Sequence, residues 1–199
     1  MTMHLPQMLS WAVVALLLFW GVGAYNRLVR SRNDITNAFA QIDVQLKRRY
    51  ELIPNLVEVA RKYLDHERET LERLAAARNQ IMAACDLVRS SPGQAGPVKS
   101  LGLAEEVMSS ALRGFHAVVE ATPELKADVM LTQLSEELTH TENKVAFARQ
   151  LFNDATTDYN NAIEQFPTRL ISGPFGFHSA PLLQATQSDA ERAHVKVVL

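Results

Sequence analysis

Residues 134–166 read LSEELTHTENKVAFARQLFNDATTDYNNAIEQF. Within them Leu134, Leu138, Thr141, Val145, Ala148, Phe152, Ala155, Tyr159, Ala162 and Phe166 recur at alternating steps of four and three. A repeat of about 3.5 residues places these side chains on one seam of a helix, which needs other helices to bury it. Pro167 closes the segment, because proline cannot continue the helical ladder.

The preceding sequence supplies those partners. A third helix is predicted over about 101–120, with Ala104, Met108, Ala111, Phe115 and Val118 inward. Thr122 and Pro123 then read as the N-cap and first helical position of the last helix. Before the third helix, residues 90–97 (SSPGQAGP) read as a loop. A second helix is predicted over about 54–90, with Leu56, Val59, Tyr63, Leu71, Leu74, Ile81, Cys85 and Val88 on one face and Glu67 and Arg78 near it. The first runs from 26 to 50 on Leu28, Ile35, Phe39, Ile42 and Leu46, with Ile53 extending its stripe. Pro54 reads as a boundary between the two, or as a kink in one continuous helix. Four such segments describe an all-α, antiparallel, up-and-down four-helix bundle.

Residues 8–25 (MLSWAVVALLLFWGVGAY) carry no charge, and Arg27, Arg30 and Arg32 follow. A helix of this length covers a hydrocarbon core of about 30 Å, so a single-pass transmembrane anchor is expected over 1–25. The alternative is a cleaved signal peptide, with Val22-Gly23-Ala24 as its site. However, residues 1–7 lack the Lys or Arg such a signal carries. The positive-inside rule places the N-terminus outside and the body in the cytoplasm. The three arginines are expected at the membrane surface, against anionic headgroups. Lys47-Arg48-Arg49 lies about 30 Å further along a straight helix, too far to join that patch, and reads as a solvated helix end or a protein contact. The bundle is assigned to 26–167 and an irregular tail to 168–199, with Phe175 and Phe177 pinning part of it.

The chain of 199 residues has a net charge of −2, which does not point to a dedicated nucleic-acid binder. Its one cysteine, Cys85, excludes an internal disulfide. Glu137-x-x-His140 has the spacing of a bundle di-metal motif, but the second copy such a site needs is missing. His66-Glu67 lacks the second zinc-binding His four residues on, where Thr70 stands. No nucleophile constellation or Gly-rich phosphate loop appears. No catalytic, metal or cofactor site and no small-molecule substrate is therefore expected.

One polar pattern stands out. Glu142, Arg149, Asn153 and Asn160 form a stripe beside the seam of the last helix, matched by Asp43 and Arg49 on the first helix and Glu67 and Arg78 on the second. Either these groups pair across the bundle and fix register, or part of the stripe is a groove for a partner helix or peptide.

Three sequence blocks, Tyr25-Asn26-x-Leu28-Val29, residues 40–49 (AQIDVQLKRR) and residues 52–57 (LIPNLV), carry a family resemblance. Further matches are His66-Glu67, residues 123–127 (PELKA), residues 141–144 (TENK), Ala148-Arg149, Asn153, Tyr159-Asn160 and Phe166-Pro167. With them the chain resembles the LemA family of bacterial membrane proteins from about Tyr25 to Phe177. Phe39 and Phe152 depart from the pattern, where other aromatics are expected. The resemblance implies a single-pass anchor, a long four-helix bundle and no established enzymatic activity. The expectation is a non-enzymatic, membrane-anchored scaffold or adaptor of the bacterial envelope, in contact with the bilayer and with a protein partner or further copies. The alternative is a self-assembling membrane-surface module that shapes or senses the bilayer.

Overall fold

A computed structural model describes residues 5–64 and 67–183. Six helices follow one another, with no strand among the described residues: α1 (Leu5–Arg61), α2 (Arg68–Ser90), α3 (Ala95–Ala121), α4 (Pro123–Lys126), α5 (Val129–Glu164) and α6 (Arg169–Ser172). The long ones, α1, α2, α3 and α5, pack as the bundle. α1 lies along α5 and against α2, and α2 lies along α3.

The apolar seams meet in one core. Leu28, Ile35, Ile42, Leu46, Ile53 and Leu56 of α1 are fully buried, as are Leu74, Ile81, Met108, Phe115 and Phe152. Phe39 and Phe152 meet edge to face with centroids 6.3 Å apart, an arrangement worth roughly 0.5–1.5 kcal/mol beyond area burial. The two positions at which the resemblance leads one to expect other aromatics are thus a packed pair.

Several boundaries differ from expectation. α1 does not stop at Pro54 but runs on to Arg61, making a helix of 57 residues, roughly 85 Å long. A turn at Lys62 and Tyr63 follows α1, and α2 begins at Arg68 rather than near Pro54. Tyr63, expected in the core, is exposed there; its hydroxyl donates to Asp128 Oδ2 at 2.9 Å, and Leu64 fills the core instead. Glu67 is exposed at the N-cap of α2, not on the seam. His66 lies outside the described residues. The loop expected over 90–97 is shorter, because α3 already begins at Ala95 and carries Gly96 and Pro97 in its first turn. Pro123 starts only the single turn α4; α5 is capped by Asp128, whose side chain accepts from Leu131 N at 3.0 Å. The seam residue Phe166 falls past the end of α5 and is exposed.

Lengths explain the tail. α5 has 36 residues, whereas α2 has 23 and α3 has 27. The α2–α3 hairpin therefore stops short of the end of the α1–α5 pair nearest the apolar run, and Ser90 to Gln94 border Arg32, Ile35 and Thr36. Beside that turn, Gly176 and residues 178–180 line the same recess, and the tail continues along α5 to Asn153 with Phe177, Ala180 and Leu183 buried. Burial at every third residue is the period of an extended, polyproline-like chain. Phe177 pins this segment as expected: the Tyr25 ring meets Phe175 and Phe177, each with centroids 5.5 Å away.

Candidate functional site: a polar stripe across the bundle

The seam of α3 runs Val98, Leu101, Glu105, Met108, Leu112, Phe115 and Val119, all buried. Glu105 is the one charged residue in that row. From α5, Arg149 Nη2 donates to Glu105 Oε1 at 2.7 Å. From α1, the buried Arg49 approaches Glu142 Oε1 at 3.6 Å. Burial pushes the Glu105 carboxyl above the usual carboxylate range, and Arg149 and then Arg49 oppose that rise without cancelling it. Desolvation outweighs attraction, as is common for ion pairs taken out of water.

Arg49 is therefore not part of a solvated basic end. Lys47 is exposed, Arg48 pairs with Glu137 at 2.6 Å and Arg49 points inward. Asp43 makes a two-pronged pair with Arg89 of α2, with contacts of 2.8 and 2.9 Å from Nη2 and 3.2 Å from Nε. Being half open to solvent, that pair contributes less than about 1 kcal/mol.

Arg78 explains why α1 survives Pro54. Proline has no N–H, so the carbonyl of Tyr50, four residues earlier, loses its helical donor. Arg78 Nε donates to that carbonyl at 3.0 Å from the neighbouring helix. Removing Arg78 leaves a part-buried acceptor without its donor, at a cost of about 1–3 kcal/mol. In a Pro54→Ala background, the main chain at position 54 supplies the N–H itself. Urea unfolding of the parent chain, the two single variants and the double variant is then expected to show Arg78→Ala costing far less in the Pro54→Ala background than in the parent. Equal costs in both backgrounds would refute the substitution of one donor for the other.

Two asparagines do something different from the ion pairs. Asn160 donates from Nδ2 to Ala180 O at 2.9 Å and accepts from Ala180 N at 2.8 Å. Asn153 does the same for Leu183, donating at 3.0 Å and accepting at 2.9 Å. Each amide thus satisfies both main-chain groups of one tail residue. The spacing fits: seven helical residues rise about 10.5 Å, and three extended residues span about 10 Å. Arg149, Asn153 and Asn160 lie on one flank of α5 by helical spacing. The flank that meets α3 through Arg149 meets the tail through the asparagines.

The stripe is thus divided. Asp43, Arg49, Arg78, Glu142 and Arg149 make contacts between bundle helices, and Asn153 and Asn160 grip an extended segment. Glu67 joins neither group: its carboxylate accepts from Thr70 Oγ1 at 3.4 Å, within its own helix turn. Arg27, Arg30 and Arg32 lie beside the apolar run, and all three are exposed. Glu105 was not among the expected site residues. A charge at a heptad seam position is the signal that marks it.

The one thiol is not activated. Cys85 Sγ lies 3.2 Å from the Tyr50 hydroxyl, and burial pushes its pKa up to about 11. The thiol stays protonated and is a poor nucleophile. Glu137 is engaged with Arg48, and His140 lines a shallow groove with Gln41, Gln45 and Phe147. Among the described residues no three His, Cys, Asp or Glu side chains come together as a metal site.

The LemA family pattern matches residues 38–198. Protein LemA of Metamycoplasma hominis is similar to this chain, 26% identical over 183 residues that make up 92% of this chain and 78% of the relative.

Proposed function

We propose that this chain, which belongs to the LemA family on the match over residues 38–198, is a non-enzymatic, single-pass membrane protein whose bundle serves as a scaffold or adaptor in the bacterial envelope. The observation that carries this reading is the unbroken helix from Leu5 to Arg61. Its apolar stretch is long enough to cross a bilayer, and none of that stretch is buried against the rest of the chain. Residues 8–25 rise about 27 Å as a helix, near the thickness of a hydrocarbon core. Trp20 and Tyr25 stand at its bundle end, where interfacial aromatics favour the headgroup layer. With no break after Tyr25, the bundle is carried on a rod rather than a flexible tether. The arginines after the run favour a bundle on the cytoplasmic face of the inner membrane.

Two experiments test the reading. Protease added to spheroplasts is expected to leave the bundle intact and to digest it in inverted vesicles; the opposite pattern overturns the orientation. Crosslinking in cells is expected to trap a discrete species containing another protein. A ladder of self-crosslinked multimers, reproduced with purified protein on lipid vesicles alone, would favour the self-assembling membrane module instead.

A further inference from the structure

The segment between α5 and the gripped tail is built inside out. Ser172 of α6 is buried and its hydroxyl donates to Ile163 O at 3.0 Å and Arg169 O at 3.2 Å. Thr168 is buried as well. Yet Phe166 is 83% exposed, Leu170 66% and Phe175 63%, and Ile171 is only partly covered. Four large apolar side chains within ten residues form a patch of a kind that soluble surfaces rarely leave open.

Its position says what covers it. A Cβ on Gly21 would lie 3.9 Å from Ile171 Cδ1. Gly21 is four residues deeper in the apolar run than Tyr25, about 6 Å along the helix axis. Tyr25 itself packs against Phe175. The patch therefore abuts the last turn of the span and reaches below its edge. Interfacial elements bury their apolar face roughly 5–10 Å into the boundary between headgroups and acyl chains, the same depth. Arg30 on α1 and Arg169 on α6 are exposed in the neighbouring turns, where anionic headgroups attract such side chains.

We propose that residues 166–175 form a second membrane-contacting element, a collar of Phe166, Leu170, Ile171 and Phe175 set into the headgroup–acyl boundary beside the transmembrane helix. The occupant of the patch is lipid. Any protein partner there would have to sit within the same headgroup layer. The collar gives the bundle two points of attachment, one through α1 and one through the end of α5. Together they fix its tilt, which a single rod leaves free. The proposal rests on the membrane-anchored reading above, and the test separates the two.

The full chain, in a Cys85→Ala background, is reconstituted into phosphatidylethanolamine–phosphatidylglycerol vesicles. Nitroxide labels are placed one at a time on Leu17→Cys, Leu170→Cys, Phe175→Cys and Leu103→Cys. Leu103 is an exposed bundle position. Accessibility to oxygen and to a water-soluble nickel chelate reports depth. The expected oxygen-to-nickel ratio is severalfold higher at 17, 170 and 175 than at 103. Helicity matching the parent chain verifies the fold of each variant. Leu17 in lipid with 170 and 175 as wet as 103 overturns the collar and leaves the anchor standing. Leu17 in water overturns both. A label at 170 or 175 shielded from both reagents and broadened by the same label on a neighbouring molecule would show a second copy on the patch, which also overturns the assignment to lipid.

Discussion

Replacing Arg149 with alanine is expected to lower bundle stability by about 3–5 kcal/mol, the cost of leaving one member of a buried ion pair alone. Glu105 is 2% exposed, and Arg149 Nη2 at 2.7 Å is the hydrogen-bond donor to its Oε1. The remaining cation facing it, Arg49, is held toward Glu142. Urea unfolding of the full chain in detergent measures the loss. Adding Glu105→Gln to the Arg149→Ala protein is expected to recover most of it, because a neutral amide costs less to bury than a lone carboxylate. The pH dependence carries a sign. Burial raises the folded-state value of Glu105 above its ordinary one, so the folded chain holds this proton longer than the unfolded chain does. The stability linked to Glu105 is then greatest below the ordinary carboxylate range and is lost as pH rises through the raised value. Without Arg149 the loss is expected to be steeper, and with Glu105→Gln it vanishes. A change below about 1 kcal/mol would mean that water reaches the pair and that the layer is not a structural one.

That pair also marks how far the sequence could be read. The α5 seam from Leu138 to Ala162 is legible because burial repeats with the helix, and the structure fills it as the spacing predicts. Glu105 was visible too, as a charge in the row Leu101, Glu105, Met108, but a pattern built on apolar positions steps over it. Pro54 was ambiguous for a physical reason. Whether a proline ends a helix depends on who serves the carbonyl four residues back, and the server, Arg78, comes from another helix. No local rule contains that donor. The stripe on α5 was visible as a row of polar residues. Its division was not, because Arg149 and Asn153 differ in what lies opposite: α3 in one case and an extended tail in the other. The tail's place follows from the shortness of the α2–α3 hairpin, a property of two distant segments taken together.

The largest local effect is expected from Asn153→Ala with Asn160→Ala. Each asparagine makes two hydrogen bonds to one tail residue, and a net value of about 1 kcal/mol per bond gives about 2 kcal/mol for each side chain and about 4 for both. Four main-chain groups of Ala180 and Leu183 lose their partners at once, and between the buried Phe177 and Ala180 the side chains of His178 and Ser179 are exposed. The expected result is a release of the tail rather than of the bundle. Amide exchange at Ala180 and Leu183 should accelerate by about a thousandfold, since 1.4 kcal/mol corresponds to a factor of ten. Amides of Phe152 and Tyr159, within α5, should keep their protection. Either single variant should fall between the two. The clamp reads only main-chain atoms, so substitutions of His178 or Ser179 should leave exchange at 180 and 183 unchanged. Ala180→Pro, which removes an N–H, should mimic the loss of one Asn160 bond. If the double variant leaves both amides protected, burial of Phe177 and Leu183 alone holds the tail. The asparagines would then be bystanders to it. If the amides do open, the release should spread to Phe175, whose ring is kept against Tyr25 by a chain anchored only a few residues further on.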